Sequence, residues 1–518
     1  MPTDPDDDVR TLSSLGYSQE LDRRMGAFSN YAVSMSIICI LAGGITSFPA
    51  GLCASGGSSV GLGWPLVGLV SLAFAATMAE VASAFPTAGG LYHWSAILGG
   101  RGWGWATAWF NLAGLVTVLA AIDLALVQFC FGAFAPMLGW SESAAGAALA
   151  SLVASAPVQE VLAPAGHVLP PLLLQWAAVV AVLASQAAFN HFGIRLTTRV
   201  TDSSGWAILV ITALLTLSLL FWAPSPDPWR LFDVVNLTGL PEGEPVWPRT
   251  ANPGWAFALG LLLPAYTITG FDASAHVAEE TIHAAREVPR AIVRAVAVSA
   301  VAGWVMLGAL VTAIPDLELA ARQGGNAFFW TLEQVLPAPL RAVLLAGIAA
   351  TQYACGLAAV TSTSRMVYAF ARDGGLPFSP LLRRVSASHK TPSAAIWTVA
   401  AGAALFTALV PYLTITAVCA ILLYVSYGMP TLVGLFARGR SWTRRGPWTI
   451  GTAYRPLALL CLLACVGLAV IGVQPPNAVA GRIVPGFALA LAAWWFAYKR
   501  RHFPGPPRLA SLAHDEAP

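Results

Sequence analysis

The sequence predicts an all-α polytopic membrane protein with twelve transmembrane helices. Of its 518 residues, 57% are hydrophobic and 10% are charged, whereas soluble proteins average about 25% charged residues. The apolar residues form runs of about 20 residues, the length that an α-helix needs to cross a bilayer. We place the twelve spans at 28–55, 62–85, 103–131, 169–189, 202–223, 255–281, 291–314, 340–364, 393–411, 413–436, 456–473 and 483–498.

The basic residues predict the orientation of these spans. Cytoplasmic loops are enriched in Lys and Arg. We therefore expect a multi-pass protein of the plasma (inner) membrane with cytosolic tails at 1–27 and 499–518, the first of them solvated, with a short helix around residues 18–24. With both ends inside, the outer loops hold, of the 28 Lys and Arg residues, only Arg230, Arg249, Arg322, Arg341 and Arg482.

The composition argues against several classes of function. A net charge of +3 is too small to indicate a nucleic-acid partner. The seven cysteines all lie inside apolar runs, without the spacing of a metal site. We see no phosphate-binding loop, nucleotide fingerprint or nucleophile–base pair. We therefore expect no enzyme, no catalytic residues, no metal, no cofactor apart from a coupling ion, and no obligate protein partner.

The sixth span is interrupted by polar residues. The stretch PAYTITGFDASAHVAEET occupies 264–281, and a charged carboxylate at mid-bilayer costs about 2.5–3.5 kcal/mol. Gly270 follows two threonines and precedes Phe271 and Asp272, which predicts that the helix breaks and restarts here. A break frees backbone groups that lipid cannot satisfy, so it must face protein, an aqueous cavity or a ligand.

The first span carries a second candidate break. Adjacent Gly43 and Gly44 cost about 1 kcal/mol each inside a helix, and Pro49 removes a backbone donor. We expect an unwound segment here, although the glycines alone would also suit close helix packing. Because the two breaks lie five spans apart, the halves of the chain would enter the membrane from opposite sides, as in inverted-repeat transporters.

Four ordered motifs carry a family resemblance. GWPLVGLVSLAFAATMAEVASAFPTAGGLYHW (63–94), GFDASAHVAEET (270–281), AREVPRAI (285–292) and YVSYGMP (424–430) resemble the amino acid–polyamine–organocation permease superfamily, within it the amino acid/choline transporter branch. The resemblance implies a leucine-transporter-type fold over 28–498. In that fold two inverted five-helix repeats, about 28–223 and 255–436, are followed by two extra helices at about 456–498.

The resemblance also implies that substrate binds between the unwound parts of the first and sixth spans. Free N–H groups in the first span suit a carboxylate, and free carbonyls in the sixth suit an ammonium group. We expect a small zwitterionic or cationic substrate, with choline the poorer match. Carried over by position, the site consists of Gly43, Gly44, Ile45, Thr46, Thr267, Thr269, Gly270, Phe271 and Asp272.

Asp272 has two interpretations, which can coexist. It could cap the second half of the sixth span by accepting from the amide of residue 274 or 275, or it could bind the substrate amine or a coupling proton. His276 and Glu280 share its face at i+4 and i+8. They predict a proton route or, as we prefer, a gate latch with His93, Arg286 or Arg290 as partners.

Other polar residues are candidates for coupling, gating or lining the pore. Glu80 is expected to contact the loop at 86–92. Thr361 and Ser362 on the eighth span match hydroxyls that help bind Na⁺ in sodium-coupled relatives of the fold, although such hydroxyls more commonly bond their own helix. The pore-lining candidates are Asn111, Asp123, Gln352, Tyr424 and Tyr427.

These observations predict a secondary active transporter of amino acids or small amines such as GABA, working by alternating access with proton symport. The alternatives are a sodium-coupled or exchanging carrier of choline or polyamines, and a membrane sensor that does not transport. A sensor would need a soluble output domain, and neither tail is long enough for one.

Overall fold

The computed structural model describes residues 5–134, 169–192 and 194–507. Within these ranges the regular elements are helices, and the extended backbone forms only two isolated β-bridges. The predicted all-α polytopic class is therefore confirmed. The end of the predicted tail at 499–518 lies outside the described residues.

The helices of the first half of the chain begin with a short one that precedes the membrane region. The first predicted span is divided into three helices, and a π-helical turn at Ser59–Gly63 leads into the second span. The helices are α1 (Pro5–Ser14), α2 (Ala27–Ile38), α3 (Ile40–Thr46), α4 (Phe48–Ser55), α5 (Trp64–Ala84), α6 (Leu91–Gly99), α7 (Arg101–Phe134), α8 (Leu169–His191) and α9 (Ile194–Trp222).

The second half repeats the pattern of one divided span followed by long helices. Its divided span consists of α10 (Pro253–Gly260), α11 (Leu262–Thr267) and α12 (Ala273–His276). The remaining helices are α13 (Ala284–Ala313), α14 (Leu317–Arg322), α15 (Ala327–Val335), α16 (Ala338–Arg372), α17 (Ser379–Leu382), α18 (Ser393–Leu409), α19 (Tyr412–Ala437), α20 (Tyr454–Gly472), α21 (Ala480–Trp494) and α22 (Arg500–His502).

Ten helical segments of the described chain are long and apolar enough to cross a membrane. The other two predicted spans correspond to α18, which has 17 residues, and to the divided run from α10 to α12. The exact count of twelve stays a prediction. Among the long helices α7 is buried along most of its length, whereas α21 is largely exposed, as expected for a helix that faces lipid.

The two ends of the described chain lie at the same face of the helix bundle. Tyr17 donates to Asp373 at 2.8 Å, and the ring of Phe503 lies 6.5 Å from that of Tyr92, which also donates to Asp373. An even number of membrane crossings therefore separates the ends. We call this side the inner face, because the basic residues predict it to be cytoplasmic, and the opposite side the outer face.

The N-terminal segment packs against the inner face, so the prediction of a solvated tail is wrong. Its helix is α1 rather than residues 18–24, and Leu12, Leu15 and Tyr17 are buried. Arg23 donates to two carbonyl oxygens beyond α12, those of residues 278 and 281. These apolar side chains and Arg23 are thus held by contacts with the folded inner face.

Candidate substrate and coupling site

The sixth span breaks where the sequence predicts it. Helix α11 ends at Thr267, Gly270 has a positive φ of 80°, and α12 begins at Ala273. A side chain at position 270 is excluded, because a Cβ there would lie 2.4 Å from Cγ2 of Ile37. Glycine therefore supplies both the backbone conformation and the room for the first span to approach.

Side chains from two other helices bind the backbone of this break. The amide of Gly270 donates to the hydroxyl of Tyr427 at 2.9 Å, and Ser34 donates to the carbonyl of Phe271 at 2.8 Å. No donor from the described residues reaches the carbonyl oxygens of Ile268 and Thr269. These two oxygens remain as acceptors for a group that enters the site.

The break in the first span lies at Cys39, four residues before the predicted position. Cys39 has φ 25° and ψ 80° between α2 and α3, whereas Gly43 and Gly44 lie inside α3. Residues 43–46 are therefore helical rather than unwound, and a second interruption, at Ser47 between α3 and α4, falls inside the predicted stretch. A Cβ on Gly43 would lie 3.1 Å from Cγ2 of Thr267, so this glycine allows α3 to pack closely on α11.

The break at Cys39 interrupts the hydrogen-bond ladder of the first span. The amides of Leu41 and Ala42 donate to the sulfur of Cys39. On the other side of the break, the thiol of Cys355 donates to the carbonyl of Ile37 at 3.4 Å. The two cysteines thus bind backbone groups on both sides of the first-span break, close to where the sixth span presents free carbonyl oxygens.

A small cavity of about 10 Å³ lies between the two breaks. This volume is enough for about one water molecule and too small for an amino acid, so the site is contracted. Its walls come from both divided spans and from α7 and α16. They include Ile37, Ile38, Ala42, Gly43, Thr46, Val118, Ile122, Ala125, Tyr266, Thr267, Thr269 and Cys355.

A larger cavity of about 330 Å³ lies above it on the outer side. It shares Thr46 and Tyr266 with the small cavity and is also lined by Ile45. No described residue that lines it carries a charge. Its aromatic walls are formed by Phe129, Trp247, Tyr266, Phe328, Phe329 and Tyr412.

Asp272 lies at the break with its side chain fully buried. Tyr427 donates to its Oδ1 at 2.8 Å, and Asn111 donates to its Oδ2 at 2.9 Å. The predicted capping role is wrong, because the carboxylate bonds no amide of α12 and the amide of Ser274 donates to Ser34 instead. Tyr427 and Asn111, which the sequence analysis singled out separately, thus both bind the carboxylate of Asp272.

His276 completes this group and fixes the place of a proton. Its Nδ1 lies 3.1 Å from the carbonyl oxygen of Ala88, which can only accept, so Nδ1 carries a hydrogen. Its Nε2 lies 3.2 Å from Oδ2 of Asp272, where two lone pairs cannot face each other. One further proton must lie between them, on the imidazole or on the carboxylate.

The inner face is closed by two ion pairs between the end of the sixth span and α16. Arg365 binds Glu280 at 3.1 Å with both side chains fully buried, and Arg372 binds Glu279 at 2.8 Å. The partners of these glutamates are therefore not the predicted His93, Arg286 or Arg290, and their role as a gate latch stays a prediction. The prediction ended the eighth span at residue 364, whereas α16 continues to residue 372 and carries both arginines.

A third inner contact joins the N-terminal segment to the same closure. His93 Nε2 lies 3.1 Å from Oδ2 of Asp373, which also accepts from Tyr17 and Tyr92 at 2.8 Å each. Burial raises the pKa of Asp373, but the bond with His93 and the charge of Arg372 outweigh it and hold that pKa below its usual range. The carboxylate is therefore ionised at neutral pH.

Glu80 contacts a different loop from the one predicted. Its carboxylate accepts from Arg438 at 2.9 Å and from Arg445 at 2.7 Å, and the amide of Ile450 adds a third donor at 3.1 Å. The expected contact with residues 86–92 is wrong. Glu80 holds the loop between α19 and α20 against the inner end of α5.

The remaining candidates lie away from both cavities. Thr361 donates to Asn190 at 2.7 Å, and Ser362 is buried without a hydrogen-bond partner among the described residues. Asp123 and Gln352 face neighbouring helices. Tyr424 lies one turn from Tyr427, with its hydroxyl 3.4 Å from Ser71. The roles of these residues in coupling or pore lining stay predictions.

Comparisons with known proteins agree with this architecture. A family model described as amino acid permease matches residues 25–496. The chain is 29% identical to amino-acid permease BAT1 of Arabidopsis thaliana, over 96% of this chain and 95% of that protein. It is also 26% identical to the GABA-specific permease of Saccharomyces cerevisiae, over 96% of this chain and 86% of that protein.

Proposed function

Because this chain belongs to the amino acid permease family, we propose that it is a secondary active transporter of amino acids or related small amines, driven by protons. We place it in the plasma (inner) membrane with both termini in the cytoplasm. The observation that carries the proposal is the meeting of two broken spans around one small cavity, where the sixth offers free carbonyl oxygens.

The two faces of the protein support alternating access. The cavity of about 330 Å³ leads toward the outer face, whereas Glu279, Glu280 and Asp373 anchor ion pairs and hydrogen bonds across the inner face. A carrier needs one closed side while the other is open. The conformation described is thus open toward the outside, with its central site contracted.

The chemistry of the site favours a zwitterion. The carbonyl oxygens of Ile268 and Thr269 at the sixth-span break are acceptors for an ammonium group. An outer cavity without charged lining residues suits a solute with no net charge. The name of the yeast relative makes GABA the first compound to test.

The Asp272–His276 pair supports a proton as the coupling ion. Their shared proton lies beside the break, and Ala88 links the pair to the inner closure. The carbonyl of Ala88 accepts from His276, and its amide donates to Glu279 at 3.2 Å. Opening the inner face would therefore displace the group that orients the imidazole and would expose the proton to the inner side.

Sodium coupling is the runner-up, together with exchange of choline or polyamines. The cysteines at the first-span break supply thiols rather than the oxygen ligands that Na⁺ prefers, and Thr361 is bonded to Asn190. In the residues that the structure describes, no cluster of His, Cys, Asp and Glu is arranged to hold a metal ion.

Uptake by the purified full chain in proteoliposomes tests the proposal. Labelled GABA, several α-amino acids, choline and a polyamine would be offered under a proton gradient or a sodium gradient, imposed separately, with protein-free liposomes as the control. We expect concentrative uptake of at least one amino acid under the proton gradient alone. Uptake only under the sodium gradient would reject proton coupling. Uptake only of choline or the polyamine would reject amino acids as the substrates.

A further inference from the structure

Asp123 lies in the interior of α7 and does not take part in the site described above. The neighbouring Ile122 lines the small cavity, while the Asp123 carboxylate faces α8 and α16. Gln186 of α8 donates to its Oδ1 at 2.8 Å. A Cβ on Gly356 of α16 would lie 2.5 Å from the same oxygen, so this glycine leaves room for the carboxylate between the helices.

The polar atoms around Asp123 are left without partners. Oδ2 of Asp123, Oε1 of Gln186 and both polar atoms of Gln352 are buried and have no hydrogen bond within the described structure. Gln352 precedes Gly356 by one helical turn and so shares its face. An unsatisfied buried polar group costs about 1–3 kcal/mol, and more if it is charged.

The unpaired oxygens are acceptors, and the one unpaired donor of the cluster, Nε2 of Gln352, bonds none of them in the described structure, so the carboxylate of Asp123 lacks a compensating positive charge. The described structure places no Lys, Arg or His in a hydrogen bond or ion pair with Asp123, Gln186 or Gln352. An ionised carboxylate cannot bond an amide oxygen, whereas a protonated one can donate to it. A single proton on Oδ2 would neutralise the charge and give an amide oxygen its donor.

We propose that Asp123 binds a proton and forms, with Gln186 and Gln352, a second ion site that is separate from the Asp272–His276 pair. The site would bind a small cation, and a proton can neutralise the carboxylate without any further ligand. A hard cation such as sodium would need several converging oxygen ligands, whereas these side chains present three unpaired oxygens.

The site adjoins the wall of the small cavity. Cys355, next to Gly356, lines that cavity and donates to Ile37 at the first-span break. The titratable groups near Asp123 are Cys355 on α16 and, through it, Cys39, while α8 presents the uncharged Gln186. Through α16, the site therefore lies next to the first-span break.

Infrared spectroscopy of the purified full chain tests the proton directly and does not depend on transport. Difference spectra between wild type and Asp123→Asn would be recorded at neutral pH in sodium-free buffer, with exposed Asp227→Asn as the control. We expect the carboxylic-acid carbonyl band to be lost in Asp123→Asn and retained in Asp227→Asn. A difference spectrum without that band would overturn the proposal.

Two additional measurements test whether Gln186 and Gln352 belong to the site and whether it binds sodium instead of a proton. Gln352→Leu and Gln186→Leu each remove an acceptor without removing the carboxyl group, and we expect at least one of them to shift the Asp123 band. No shift with either would overturn the shared site. Binding of labelled sodium that is lost in Asp123→Asn, together with no carboxylic-acid band, would replace the proton with Na⁺.

Discussion

The hydroxyl of Tyr427 donates to Oδ1 of Asp272 at 2.8 Å and accepts the amide of Gly270 at 2.9 Å. One oxygen atom thus binds both the buried carboxylate and the free backbone donor of the sixth-span break. Because Tyr427 belongs to α19, this hydroxyl ties the break to a helix that is continuous through the membrane.

Replacing Tyr427 with Phe should weaken the break. The change leaves the amide of Gly270 unpaired and removes one bond from Asp272, at a cost of about 1–3 kcal/mol for each buried unsatisfied group. We expect a lower melting temperature and a fall in uptake of about tenfold, both measured on the purified protein. Tyr424→Phe is the matched control, because its hydroxyl has only the 3.4 Å contact with Ser71. Equal effects of the two changes would contradict the bridging role.

Asp272→Asn should separate coupling from translocation. Asparagine can still accept from Tyr427, but it cannot share a proton with His276. We expect proton-driven accumulation to be lost while exchange of labelled for unlabelled substrate continues. Counterflow and gradient-driven uptake in the same proteoliposomes measure the two activities. Glu287→Gln, at a partly exposed pair with Arg290, serves as the control, and continued accumulation by Asp272→Asn would remove Asp272 from coupling.

Arg372→Ala should destabilise the closed inner face. It leaves Glu279 buried without its partner, and breaking a buried ion pair costs about 3–5 kcal/mol. The matched control is Arg290→Ala, whose pair with Glu287 is exposed on the arginine side and should contribute less than about 1 kcal/mol. Thermal unfolding in detergent measures both. A control variant as unstable as Arg372→Ala would show that burial of the pair does not matter.

Acid should weaken the same closure. Burial raises the pKa of Asp373, but the bond with His93 and the charge of Arg372 outweigh it and hold that pKa below its usual range. A carboxyl group with a depressed folded-state pKa contributes stability above its unfolded pKa, about 3.9 for Asp, and loses it as the pH falls through the folded value.

The melting temperature should therefore be flat near neutral pH and fall below about pH 4. Asp373→Asn removes this group, so the melting curve of the variant should depend less on pH in the acid range. A variant with the same acid dependence as wild type would show that Asp373 does not stabilise the closure.

The sixth-span break could be predicted because its local sequence contradicts a membrane helix. Gly270 beside Asp272 signals both a backbone turn and a polar environment, and the structure confirms it. The first-span break gave a weaker signal. Gly43 and Gly44 indicated unwinding, but the lack of a side chain at Gly43 serves packing on Thr267. The turn occurs at Cys39, a residue type with no tendency to break a helix.

Contacts between distant parts of the chain could not be read from the sequence. Asn111 and Tyr427 were candidates individually, yet only the folded bundle brings both to Asp272. Arg365 and Arg372 were missed as latch residues because helical periodicity does not show where an apolar helix ends when its last turns are buried against other helices.

The most direct test of the central claim compares two neighbouring glycines of α3. A Cβ on Gly43 would lie 3.2 Å from the backbone of Thr267, whereas a Cβ on Gly44 would meet the side chains of Leu307 at 3.4 Å and Met306 at 3.7 Å. If substrate binds where α3 and α11 approach, Gly43→Ala should reduce amino acid uptake into proteoliposomes at least tenfold, and Gly44→Ala should transport like wild type. Undiminished uptake by Gly43→Ala would contradict a substrate site between the two broken spans.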